Sequence, residues 1–236
     1  MARADAVSSD LLPILARTIE AGEPLPSEEA LAEVLGTSRP TIREALIRME
    51  ANGLVRRLHG SGTFPNPAAT QVPIRLDQST DFADRLAAVG FDASVEVLAA
   101  EVLPAGSPVP PRLDAQDDRV LRTVKRWRAD GVVAVVAVDH VPLDRRVGND
   151  AAVATASEPV LALAGAVGLG RADWMCTWPA AVELDDELAG LLELEPGRSV
   201  LRTEQLGVER HGRHVFHAVE HHRPDLVEYG LVRTVY

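Results

Sequence analysis

LPSEEALAEVLGTSRPTIREALIRMEANGLVRRLHGSGTF, running from Leu25 to Phe64, carries a readable local fold almost residue by residue. Ser27 is placed to cap a helix whose Glu28 and Glu29 sit at the positive end of the dipole, and Ala30, Leu31, Val34 and Leu35 recur on one face. Gly36 ends that helix, because glycine takes the left-handed conformation past a C-terminus without strain. After the turn Gly36-Thr37-Ser38 a second helix begins, with Ser38 as cap and Pro40 in the first turn, where a missing N–H costs little. It is predicted to reach about Ala51. Ile42, Ala45, Leu46 and Met49 form its buried stripe, leaving Arg39, Thr41, Arg43 and Arg48 elsewhere on the circumference. Asn52-Gly53 then turns the chain into a small hairpin, Leu54 to Leu58 and Gly60 to Phe64.

Two helices joined by so short a turn are a winged helix-turn-helix arrangement, which sets its second helix in the major groove of duplex DNA, N-terminal residues nearest the bases. The hairpin glycines allow backbone N–H groups to approach a phosphate closely. A net charge of −11 over 236 residues argues against a nucleic-acid partner, but its distribution answers the objection. Between residues 39 and 57 five arginines face only Glu44 and Glu50. A basic reading face on an acidic molecule is therefore expected.

At these residues the chain resembles the GntR family of bacterial transcription regulators. LPSE, LAEVLGTSRPTIREAL, GLVRR and HGSGTF carry the likeness as one continuous match. The resemblance implies that Arg39, Thr41 and Arg43 touch DNA from the recognition helix, that His59, Gly60 and Ser61 form the wing tip, and that Ser38 caps the helix and reaches a phosphate. Two departures stand out. Glu29 occupies a position where the family often has a phosphate-contacting arginine, and Pro40 one where it has a hydroxylated or small residue.

The rest of the chain is read more coarsely. Residues 1 to 8 are small and polar enough to be loose, and Leu11, Leu12, Leu15, Ala16 and Ile19 predict a helix from Ser9 to Ala21, confined by Pro13 to start near there. The proline and small-residue content of residues 67–78 reads as a linker between a DNA-binding domain, residues 1–66, and a second domain, residues 79–236. Cys176 is the single cysteine, and no leader or membrane-length apolar run is evident, so a cytoplasmic protein without cofactor is expected.

In the second domain strands are predicted at Val95–Val102, Val120–Arg128, Val132–Val138, Ser199–Val208 and His214–Arg223, with a closing strand at Leu231–Val235. Helices follow Asp81, Ser157 and Asp185. RWRADG at 126–131, DDELAGLLELEPGRSVLR at 185–202 and HAVEHHRPD at 217–225 resemble the UTRA effector-binding domain of the HutC branch of the same family, whose fold is similar to chorismate lyase. The expected fold class is α+β, a winged helix-turn-helix followed by an antiparallel-sheet UTRA domain.

Strand alternation puts Arg122, Arg126 and Arg128 on one side of their strand and Leu121, Thr123 and Trp127 on the other. Arg126 and Arg128 side by side suit a phosphate or carboxylate, and the resemblance places them, with Ser157 and Glu220, against the effector. The bland alternative is ion pairing on a solvated face, with Ser157 a helix cap and Glu220 an ion-pair partner. His211, His214, His217, His221 and His222 crowd together, yet alternation divides them and no carboxylate completes a set, so no metal is expected. The function expected is a ligand-responsive repressor, a homodimer on a double-stranded, pseudo-palindromic DNA operator, released by a small anionic effector. The competing readings are an enzyme on the lyase-like fold, for which no nucleophile–base pair is evident, and a constitutive DNA-binding protein whose second domain only dimerises.

Overall fold

The computed structural model describes residues 2–58, 60–72, 74–76, 81–226 and 228–233, and the chain divides into two compact units. The first comprises residues 1–78 together with 229–236, the second residues 79–228.

In the first unit α1 (Ala2–Ala21), α2 (Glu28–Val34) and α3 (Arg39–Ala51) enclose a core built on Leu11, Leu15, Leu31, Ile42, Leu46 and Met49. The stripe of Ile42, Ala45, Leu46 and Met49 is buried as its spacing predicts. Ser27 Oγ accepts from the Ala30 N–H at 3.2 Å and Ser38 Oγ from the Thr41 N–H at 3.4 Å, so both caps form. Gly36 takes a φ of +58° between the two helices. Strand β1 (Val55–Leu58) pairs antiparallel with β2 (Gly62–Pro65) to make the wing.

Helix α1 begins earlier than the sequence pattern suggests and runs straight through Pro13. An interior proline costs a helix about 3 kcal/mol. Here Pro13 faces solvent while Val7, Leu11, Ile14 and Leu15 carry one buried stripe past it, and burial of side chains of that size outweighs the lost bond.

The segment expected to be a plain linker is partly ordered, with α4 (Pro67–Thr70) and β3 (Ile74–Arg75), whose Ile74 is buried. The closing strand also differs from expectation. It is β10 (Tyr229–Gly230), it pairs parallel with β3, and Leu231 to Arg233 lie beyond it, while residues 234–235 fall outside the described residues.

The second unit is a six-stranded antiparallel sheet in the order β4-β5-β6-β9-β8-β7. Its strands are β4 (Ala93–Leu103), β5 (Val120–Ala129), β6 (Val132–Pro142), β7 (Trp174–Glu183), β8 (Ser199–Val208) and β9 (His214–His222). Asp130-Gly131, both with positive φ, close the β5–β6 hairpin as the pair predicts. Helix α5 (Phe82–Ala88) contacts β4 and β5, while α6 (Asn149–Val153) and α7 (Val160–Ala166) share one core in which Leu163 belongs with Leu121, Val141 and Phe216. Helix α8 (Asp186–Leu192), capped by Asp185 Oδ1 on the Leu188 N–H at 2.8 Å, packs Leu192 against Val133, Val136 and Val200.

Strand β7 is not among the strands expected from the sequence, and it carries Pro179 at its centre. It is an edge strand bonded only to β8, where a residue without an N–H is tolerated.

The sheet is closely packed where Gly207 in β8 faces Phe216 in β9. A Cβ on Gly207 would fall onto the Phe216 ring, which is fully buried. Gly207→Ala is expected to cost about 1–3 kcal/mol by overpacking. An unchanged urea midpoint for this variant would contradict that packing.

Candidate DNA-reading face and ligand cavity

On α3 two of the arginines, Arg43 and Arg48, are held by carboxylates, Glu28 and Glu44. The Arg43 guanidinium grips Glu28 through two nitrogens, Nη2 at 2.7 Å and Nε at 3.0 Å from Oε2. The pair lowers the Glu28 pKa through that hydrogen bond and raises that of Arg43. Arg43 keeps 58% of its side-chain surface, so the pair is a solvent-facing one of little stabilising value. Arg39 is exposed at the start of the helix, and Thr41 is tied back to Ser38, its Oγ1 2.7 Å from Ser38 Oγ. At the wing, Gly60 and Ser61 are exposed, and the Ser61 N–H closes the turn on Leu58 O at 2.9 Å. His59 lies outside the described residues.

The second unit holds a small, partly open cavity between α5, the start of α7 and the middle of the sheet. Phe82, Trp127, Val160, Leu161 and Met175 form its apolar walls, and Asp81, Arg85, Asp139, Gln205 and Glu220 supply its polar groups. The floor is a layer of buried charge. Lys125 has no exposed surface, and its Nζ donates to Asp139 Oδ2 at 2.8 Å and to the Glu158 carbonyl at 2.7 Å. Thr123 Oγ1 donates to the same Asp139 oxygen at 3.1 Å.

One strand further, Glu220 Oε2 accepts from Thr203 Oγ1 at 2.9 Å and Gln205 Nε2 at 2.7 Å, with His222 Nε2 at 3.2 Å. Burial pushes the Asp139 carboxyl upward against the pull of Lys125. Burial opposes ionisation of Glu220 as well, but His222, Thr203 and Arg85 hold its pKa below the ordinary value. Asp81 is pushed up by burial. Tilted ring contacts complete the wall, the Phe82 centroid lying 5.8 Å from that of Trp127 and 5.1 Å from that of His222.

Of the residues expected to meet an effector, Glu220 lies in this cavity and three do not. Arg126 and Arg128 are on the opposite face of the sheet, because β5 alternates and it is Trp127 that lines the cavity, with Lys125 buried on the same side of the strand. There Arg126 Nε meets Glu96 Oε2 at 2.6 Å and Arg128 Nη2 meets Glu193 Oε1 at 2.6 Å, the ion-pair arrangement weighed against them. Ser157 is exposed and caps nothing, since α7 begins one turn later with Pro159 at its N-cap. Its neighbour Glu158 has the structural part, through the carbonyl that receives Lys125.

The sequence reading missed Asp139, Lys125, Trp127, Phe82 and Gln205. A signal existed for two of them, an acid alone in the apolar run Val132–Pro142 and the single lysine of the chain, two residues along β5 from Thr123, the ladder partner of Asp139. The histidines divide as alternation requires. His222 joins the cavity face, whereas His217 turns to the other face and meets Glu204 Oε1 at 2.9 Å. Among the described residues no cluster of histidine, cysteine and carboxylate side chains could hold a metal ion.

Family comparison agrees with this two-part geometry. Residues 12–64 match the model for bacterial regulatory proteins of the gntR family, and residues 88–228 match that for the UTRA domain. The chain belongs to the GntR family, in its UTRA-bearing, HutC-type form. An uncharacterised HTH-type transcriptional regulator of Rhizobium meliloti is 28% identical over 81% of this chain and 78% of its own length. The mannosyl-D-glycerate transport/metabolism system repressor MngR of Escherichia coli is 34% identical over 47% of this chain and 45% of its own. In fold, the possible transcriptional regulator YydK of Bacillus subtilis superposes with a TM-score of 0.71 at 17% identity, covering 99% of this chain and 100% of that one. The relatives of this GntR-family protein are transcription regulators, not enzymes. No helix among the described residues is long and apolar enough to cross a membrane.

The buried pair at the cavity floor gives a test of this regulator's architecture. Lys125→Met strands Asp139 without its cation and is expected to cost about 3–5 kcal/mol, as breaking a buried pair does. The double variant Lys125→Met/Asp139→Leu is expected to recover most of that loss in urea unfolding, because removing both charges removes the desolvation cost. A double variant no more stable than the single one would refute the pairing.

Proposed function

We propose that this GntR-family regulator is a repressor that holds a pseudo-palindromic operator as a homodimer in the cytoplasm and lets go when a small molecule fills the UTRA cavity. The supporting observation is the separation of chemistries. A solvent-facing arginine helix stands in one unit, and a walled cavity with buried charges stands in the other. On DNA, Arg39, Thr41 and Arg43 face the groove, Ser38 reaches a phosphate from the helix start, and His59, Gly60 and Ser61 follow the backbone from the wing. A phosphate takes the place of the Glu28 carboxylate on Arg43, an exchange that costs little because the resting pair is exposed. Repression is favoured by the E. coli relative, which is named a repressor.

An anionic effector was expected from Arg126 and Arg128, and with both arginines engaged on the far face of the sheet that expectation has lost its support. Glu220 remains the effector contact of the expected set.

The chain crosses between the units at residues 78/79 and 228/229, and the strands next to both crossings join as β3 and β10. From β3, Arg75 Nη1 donates at 2.7 Å to the carbonyl of Asn52, the C-cap of α3. A ligand whose binding is felt at β3 therefore bears on the end of the reading helix, and only a ligand that prefers one state shifts the population.

Arg43→Ala is expected to weaken operator binding and to flatten its salt dependence by about 0.9 in log–log slope, one phosphate contact. Retained affinity with an unchanged slope would remove Arg43 from the interface. Arg75→Ala is expected to leave operator and ligand affinities near their starting values while shrinking the factor by which each alters the other. An undiminished factor in paired titrations would exclude this route.

A further inference from the structure

Accepting that the UTRA cavity is the sensor site, its own chemistry narrows the ligand. Each of the two deepest carboxylates spends its hydrogen bonds on one oxygen. Glu220 receives Thr203, Gln205 and His222 on Oε2, and Asp139 receives Thr123 and Lys125 on Oδ2. Among the described residues no donor meets Glu220 Oε1 or Asp139 Oδ1, although both residues are more than nine-tenths buried and both line the cavity. Neither oxygen is among the enclosed polar atoms left without a partner, so both open onto the cavity space.

A buried carboxylate oxygen without a donor is costly, and a ligand that brings donors relieves the cost. Asp81 adds a third carboxylate at the wall. Against these stand Arg85, at the wall with its guanidinium 5.1 Å over the Phe82 ring, and Lys125, already committed to Asp139 and the Glu158 carbonyl. The aromatic wall already holds positive charge, with Lys125 Nζ 5.6 Å from the Trp127 ring centroid and the Arg85 guanidinium 5.1 Å from that of Phe82, so its rings are compatible with a cation at their remaining surface.

We infer that the effector of this regulator is a small organic cation, an ammonium or guanidinium compound whose charged nitrogen donates to Glu220 Oε1 and Asp139 Oδ1 while its carbon skeleton lies against Phe82 and Trp127. An anion entering the same space would meet three carboxylates and would leave both oxygens without donors. A neutral alcohol would supply donors but no charge. The cavity thus ranks matched ligands as cation over alcohol over carboxylate.

The test uses the full-length protein with benzylamine, benzyl alcohol and benzoate at millimolar concentration and neutral pH, and with agmatine as a guanidinium probe, read by calorimetric titration and by the shift in melting temperature. At least one of the two cations is expected to bind ten times or more tighter than benzyl alcohol and benzoate. Glu220→Gln, which keeps an acceptor for Thr203, is expected to erase most of that preference while retaining the native circular dichroism. A second variant, Asp81→Asn, guards against a folding defect in the first and is expected to reduce the same preference by a smaller factor.

Binding of benzoate in preference to the amines, equal binding of all probes, or no binding by any of them would overturn the cation assignment. Benzoate that binds and also releases the operator would do so while leaving the sensor reading intact. Conversely, an amine that binds through Glu220 yet leaves operator affinity unchanged at saturation would uphold the cation and sink the sensor reading.

Discussion

A single buried ammonium organises the sensor domain. Lys125 is the only lysine in the chain and has no surface in contact with water, so its charge has to be answered from within. Asp139 answers it from the next strand and the Glu158 carbonyl from the segment entering α7. That one nitrogen thereby ties β5 to β6 and fixes where α7 begins, and the cavity is the space left between those pieces. Because Lys125 and Thr123 both use the same oxygen of Asp139, the other is left facing the cavity. The cost of burying charge and the means of recognising a ligand come from the same side chains, which suits a domain whose stability and ligand occupancy are to be linked.

The reading unit solves a different electrostatic problem. The chain as a whole is strongly acidic, and it keeps its arginine helix near neutrality at rest by pairing Arg43 with Glu28 and Arg48 with Glu44. These are solvent-facing pairs with weak hold, so they add little to stability and bury no charge. Rigidity comes instead from the apolar stripe beneath, where Ile42, Leu46 and Met49 lock α3 against α1 and α2. Position is set by packing and affinity is left to the exposed face.

The first unit was legible because its determinants are local. Ser27, Gly36, Ser38 and the spacing of Ile42 to Met49 each act within one or two helical turns, and every one has its expected part in the structure. What local rules misjudged there was Pro13, whose penalty a continuous buried stripe overrides. In the second unit the edge position of β7 likewise makes Pro179 acceptable within a strand. The family was legible for the same reason, since its motifs are short, dense and contiguous.

The site in the second unit was legible only in its alternation. The sequence alone determined that Arg126 and Arg128 share one side of a strand and Trp127 the other, but period-two spacing does not say which side meets the cavity. Tertiary structure decided that, by laying α5 and α7 over the face that carries Lys125, Asp139 and Glu220 and leaving the arginines to Glu96 and Glu193 behind it. Those residues come from three strands far apart in the chain, and no window of sequence contains their juxtaposition. Which charges are buried together, and therefore which charge the cavity prefers, is a property of the folded sheet.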